Sequence, residues 1–92
     1  MLKRAMDFTN YLKAITSERI NIVRTYLGLT QIEFAKALGV SHTNIYYYEN
    51  QKRTVSVEFL YALYRVYGIN PLFILGFSDK MELSEMNDND GN

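Results

Sequence analysis

Cysteine is absent from the 92 residues. No disulfide can staple this fold, and no thiolate can hold a metal or act as a nucleophile. A reducing compartment suits such a chain, and the cytoplasm is the expected location. The single histidine, His42, leaves most zinc sites and His-dependent catalytic schemes without their residues. There is one proline, and the five glycines are scattered. This fits a helical chain better than a turn-rich sheet protein. It also leaves no glycine-rich loop to cradle a phosphate. No apolar run approaches the roughly 20 residues needed to cross a bilayer. The opening stretch MLKRAMDFTNYLKAIT has a basic pair but lacks the long apolar core of a signal peptide. No enzyme activity, cofactor, metal or membrane contact is expected.

What is present is one domain's worth of chain with an uneven charge. The formal net charge is zero, which argues against a nucleic-acid partner only until the distribution is read. Residues 1–77 carry nine Lys/Arg against five Asp/Glu, a balance of +4. Residues 78–92 carry five Asp/Glu against Lys80, a balance of −4. A mildly basic body thus bears an acidic tail, SDKMELSEMNDNDGN, whose composition predicts disorder.

Helical spacing recurs before the tail. Phe8, Tyr11, Leu12 and Ile15 follow i, i+3, i+4, i+7 and predict a short N-terminal helix. A break near Thr16–Ser17 is expected, with Ser17 capping the next helix. That helix turns Ile20, Val23 and Leu27 inward and ends at Gly28. Thr30 and Glu33 make a capping box for a helix that buries Phe34, Ala35 and Leu38 and stops at Gly39. Ser41 caps the stretch HTNIYYYEN, QKRTV reads as a loop, and Ser56 caps VEFLYALYRVYG. Asn70 and Pro71 start a last short helix, PLFILGF. The expected organisation is an N-terminal helical extension over residues 1–16, a helical domain over 17–77 and a flexible tail over 78–92.

Two short helices in EFAKALGVSHTNIYYYE suggest a function. Ala35 is small where two helices cross closely, Gly39 permits a left-handed turn, and Ile45 plugs the second helix into the core. This spacing is that of a DNA-binding helix-turn-helix. From Arg19 to about Gly76 the chain resembles the Cro and lambda-type repressor family. The segments that carry the resemblance are GLTQIEFAKALGVS, IYYYENQKR and SVEFLYALYRVYGINPLFIL. The resemblance implies an all-α, five-helix lambda-repressor-like domain that binds double-stranded operator DNA, usually as a symmetric dimer. Here that domain would carry an extra N-terminal helix and a disordered acidic C-terminal tail. The resemblance also assigns a phosphate contact to Gln31. It further pairs Arg24, four residues before Gly28, with Glu49 at the end of the recognition helix. Ile32 departs from the family, which usually places a polar residue there.

On a wheel of about 100° per residue, with His42 at zero, Ile45 and Tyr48 fall at roughly 300° and 240° and define the core side. His42, Thr43, Tyr46 and Tyr47 lie opposite, on the side that would enter the major groove. Thr43 can hydrogen-bond a base or pack its methyl on a thymine. His42 can donate or accept, and a tyrosine can cover thymine methyls or reach a phosphate. A solvated first turn and ordinary exposed packing are the competing readings. Phosphate anchors are expected from Thr30 and Gln31 at a helix N-terminus, and from Asn44, Asn50, Lys52 and Arg53. Arg24 and Glu49 read as a structural ion pair.

The helix opened by Ser56 has two apolar stripes. Val57, Leu60, Leu63, Tyr64 and Tyr67 are assigned to the core. Phe59, Ala62 and Val66, with Phe73 and Phe77, form a candidate homodimer interface unless the N-terminal helix covers them. The expected function is a sequence-specific transcriptional regulator, most simply a repressor acting on a palindromic operator. The alternative is an antitoxin-type protein that binds DNA and also holds a protein partner through its N-terminal helix or tail.

Overall fold

Short polar caps and left-handed glycines divide the chain into helices. Thr30 caps α2 (Gln31–Leu38): its hydroxyl accepts from Glu33 N at 3.1 Å, and the Glu33 carboxylate accepts from Thr30 N at 2.9 Å. Ser41 caps α3 (His42–Glu49), and Ser56 caps α4 (Val57–Tyr67). Asn70 caps α5 (Pro71–Ile74), with proline in the first turn. These helices follow α1 (Thr9–Tyr26) in a computed structural model that describes residues 7–83.

The first helix differs from expectation. The break at Thr16–Ser17 is absent, and α1 runs unbroken for 18 residues. Both hydroxyls are buried in mid-helix. Thr16 Oγ1 donates back to Leu12 O at 2.8 Å. Ser17 Oγ donates across to Glu49 O, at the end of α3, at 2.6 Å. A residue that resembles a cap in sequence is therefore a buried tie between two helices. Residues 9–15 are the opening turns of α1 rather than a separate helix. Residues 1–6 of the expected extension lie outside the described residues.

The core draws on every helix: Ile20 and Val23, Phe34 and Leu38, Ile45 and Tyr48, Phe59 and Leu63, then Ile69, Phe73 and Ile74. Helix α1 packs on α3 and α5, while α2 packs on α3 and α4. The two stripes of α4 are assigned differently by the structure. Phe59 is 1% exposed, its ring centroid 4.7 Å from that of Tyr48. Phe73 is also buried, beneath the Arg19 guanidinium at 4.3 Å. Neither can serve a dimer interface. Ala62 is half-buried against the core, which leaves Val66 and Phe77 exposed. Val57, expected inside, is 78% exposed, because it is the first residue of α4 and the buried face is rotated towards Phe59 and Leu63.

The acidic tail is also ordered at its start. Asn70 N donates to Met81 O at 2.8 Å, Asn70 Nδ2 to Lys80 O at 2.9 Å and Leu83 N to Gly68 O at 3.0 Å. Residues 78–83 are thus a strap bonded to the turn between α4 and α5. Charge and polarity predict disorder there, but backbone pairing with that turn outweighs them. Residues 84–92 lie outside the described residues. Among the described residues no helix is long and apolar enough to cross a membrane.

Helix α3 is held by Glu49. Its carboxylate accepts from Arg24 Nε at 2.6 Å and Arg24 Nη2 at 3.0 Å. It also accepts from Gln31 Nε2 at 3.1 Å and Asn21 Nδ2 at 3.2 Å. The Glu49 side chain is only 4% exposed. Burial pushes its carboxyl up, but the bonds from Arg24, Gln31 and Asn21 and the charge of Arg24 leave it below the usual carboxylate range. The bond to Glu49 raises Arg24 above its ordinary value against the opposing effect of burial. Arg24 Nη1 also donates to Leu29 O at 2.8 Å, so one side chain joins α1, the α1–α2 turn and α3.

Three outcomes follow from this packing. Arg24→Met strands a buried carboxylate and is expected to cost about 3 kcal/mol in chemical unfolding. Because the folded pKa of Glu49 is depressed, its contribution is complete above about pH 4.3, the unfolded value, and fades as pH falls through the folded value. Glu49→Gln should therefore show a flatter fall of Tm below about pH 5 than wild type; parallel curves would contradict this. Gly76 sits at φ 86°, where an added Cβ would lie 2.5 Å from Ile15 Cδ1. Gly76→Ala should lower Tm by more than Gly28→Ala. The backbone at Gly28 is similarly left-handed, but a Cβ there meets nothing within 4 Å.

Candidate nucleic-acid interface

The turn between α2 and α3 fixes the geometry of the site. Gly39 takes φ 70° and Val40 N donates back to Ala35 O at 3.0 Å, which closes α2. Ala35 is buried, and its small side chain lets α3 cross near α2. Ser41 Oγ then accepts from Asn44 N at 3.1 Å and starts α3. Ile45 and Tyr48 point into the core, at 0% and 4% exposure. The opposite side of α3 is thereby committed to solvent.

That side carries His42, Thr43 and Tyr46, all exposed, with Tyr47 half-buried beside them. The Tyr46 and Tyr47 ring centroids are 6.0 Å apart. Tyr47 is partly covered because the Arg53 guanidinium lies 4.7 Å from its ring centroid. Arg53 also donates to Asn44 Oδ1. The α3–α4 loop thus folds back on the helix and brings a cation to the end of its outer face.

This cluster is not visible in the spacing of the sequence, because it depends on the turn after α3. Gln51 adopts φ 60°, a left-handed conformation that normally favours glycine. Lys52 N donates to Tyr47 O at 2.9 Å, completing a helix-ending motif of the Schellman type. The run ENQKR, with no glycine or proline, conceals that turn. Asn21 in the Glu49 cluster also escapes sequence reasoning, since nothing in its own helix marks it.

The expected phosphate anchors divide into two groups. Lys52 and Arg53 are exposed cations next to α3. Arg53 already donates to Asn44, and the other four also hold intramolecular bonds. Thr30 is in its capping box, Gln31 donates to Glu49, Asn44 accepts from Arg53, and Asn50 Nδ2 donates to Tyr46 O at 2.8 Å. Gln31 keeps a second amide hydrogen, and Asn44 its own amide group, for an external acceptor.

In comparisons with known proteins, the helix-turn-helix family matches residues 20–74. A search of curated proteins finds no match. Among solved structures, the fold is similar to that of NHTF, a hypothetical transcription factor from Neisseria. The TM-score is 0.65 and the identity 16%, over 97% of each chain. At that identity the likeness shows a shared architecture. The family match spans the capped pair α2 and α3, the Arg24–Glu49 tie and the core beneath them. The chain belongs to the helix-turn-helix family of the Cro and lambda-repressor type, a family of DNA-binding transcriptional regulators.

Proposed function

We propose that this protein is a repressor that binds a palindromic operator as a homodimer, with α3 lying in the major groove. The observation that supports the reading best is the division of α3 into two sides. Ile45, Tyr48 and Glu49 are locked into the fold, while His42, Thr43, Tyr46 and Tyr47 face outward beside Lys52 and Arg53. The first turn of such a helix approaches base edges most closely. His42 and Thr43 occupy it and read by hydrogen bonding or methyl contact. Tyr46 and Tyr47 lie further along and cover thymine methyls or reach the backbone.

Phosphates on either side are held by Lys52 and Arg53, and by the remaining hydrogen-bonding capacity of Thr30, Gln31, Asn44 and Asn50. Stacking on Tyr47 orders Arg53 before binding, which lowers the entropy cost of its contact. One eight-residue helix reads few base pairs. A two-fold dimer doubles the site and places the two recognition helices about 34 Å apart.

Selection from random duplex DNA should enrich a palindrome with half-sites one helical turn apart. No enrichment even at low salt would sink the reading. Thr43→Ala and Tyr47→Ala should each lose about 1–3 kcal/mol of discrimination between selected and scrambled sites, with Tm nearly unchanged. Lys52→Gln should instead weaken binding to every sequence alike and reduce the log–log salt slope by about one. Equal discrimination by both alanine variants would place the reading face elsewhere.

A further inference from the structure

We infer that the groove between the opening turns of α1 and the exit of α5 is the face on which a second copy of this chain docks. The inference rests on the homodimer reading above and gives it an interface. The groove encloses a cavity of about 440 Å³ lined by Phe8, Tyr11, Leu12, Ile15, Leu75 and Phe77 over a floor at Gly76. All of these residues lie outside the matched segment 20–74, so the shared domain does not account for the surface.

Phe8, Tyr11 and Phe77 are 61%, 69% and 78% exposed. An aromatic side chain offers about 150–250 Å², so these fractions leave on the order of 300–500 Å² of aromatic surface in water. The largest apolar patch on a typical monomer spans about 300–600 Å² and is often functional. A stable interface buries about 800 Å² per partner, about 65% of it apolar in homodimers, or on the order of 500 Å². The groove's aromatic rim comes close to supplying that share.

Shape and charge favour a copy of the same chain. A two-fold interface must be complementary to itself, so one patch needs both projections and a hollow. Here projecting rings border an apolar cavity. None of the lining residues is charged, so the groove itself sets no like charges against a second copy and offers no lining cation to a polyanion. The walls are also fixed in place. Ile15 packs directly on Gly76, and Arg19 Nη1 ties the α5 exit to α1 by donating to Phe73 O at 3.0 Å and Ser78 O at 3.1 Å. A second apolar groove, lined by Val57, Tyr61 and Leu83 among others, has only one widely exposed ring, Tyr61, and that ring is bonded to Arg65 at 2.8 Å.

The test is sedimentation of the full chain over a concentration series, with helix content checked by circular dichroism. Wild type should dimerise. Tyr11→Glu and Phe77→Glu should each weaken the dimer by about 30-fold or more, the size of an interface hot spot. Val57→Glu, in the other groove, should leave dimerisation unchanged. Tyr11→Ser serves as the milder variant if either glutamate substitution perturbs folding, and it should weaken the dimer in the same direction. A wild-type dimer that survives the α1 and α5 substitutions, or is lost only in Val57→Glu, would overturn this interface and leave the homodimer reading standing. A wild type that is monomeric both free and on DNA would overturn both. A wild type that self-associates only after removal of residues 1–6 would make the chain's own N-terminus the occupant and overturn the inference.

Discussion

The buried carboxylate of Glu49 is the point on which the proposed reading face depends. It lies at the end of the helix whose outer side faces solvent, and it receives bonds from α1 and α2 together. Ser17 completes the arrangement by donating to the Glu49 carbonyl, so both the side chain and the backbone of one residue are held. Such a pair adds little net stability, because taking two charges out of water offsets most of their attraction. Its effect is on orientation. An eight-residue helix has too few internal bonds to hold its own direction, and Glu49 fixes the end where the chain leaves for the basic loop.

Much of the fold is legible in the sequence, for a local reason. The caps at Thr30, Ser41, Ser56 and Asn70 and the left-handed turns at Gly39 and Gly68 depend on residues within one or two turns of each other. Ile45 and Tyr48 point inward because helical geometry leaves them nowhere else to go. The departures arise where a distant partner decides. Ser17 resembles a cap until the Glu49 carbonyl at the end of α3 accepts its hydrogen bond. Phe59 and Val57 exchange places because α4 has apolar residues on more than one side, and only packing chooses among them. Residues 78–83 have a solvated composition, yet the turn between α4 and α5 offers backbone partners.

The candidate site follows the same pattern. The outward position of His42, Thr43 and Tyr46 can be read from a wheel. The stacking of Arg53 on Tyr47 cannot, because it needs the left-handed turn at Gln51 to bring the loop back. The three consecutive tyrosines of α3 therefore have three environments. Tyr48 packs in the core on Phe59, Tyr47 is shared between the outer face and Arg53, and Tyr46 stands in solvent. The exposed aromatics at the start of α1, Phe8 and Tyr11, lie apart from both the core and the proposed reading face, which is why they are assigned to the proposed docking surface instead.

The central claim is that the outer side of α3 is the surface that meets DNA. Amide and side-chain NMR shifts of the labelled chain, titrated with a duplex recovered by selection, test it most directly. The account predicts the largest changes at His42, Thr43, Tyr46 and Tyr47, then at Lys52 and Arg53, with Phe8 and Tyr11 unmoved at constant dimer population. Changes centred on α4 or on the opening turns of α1, with α3 silent, would contradict it.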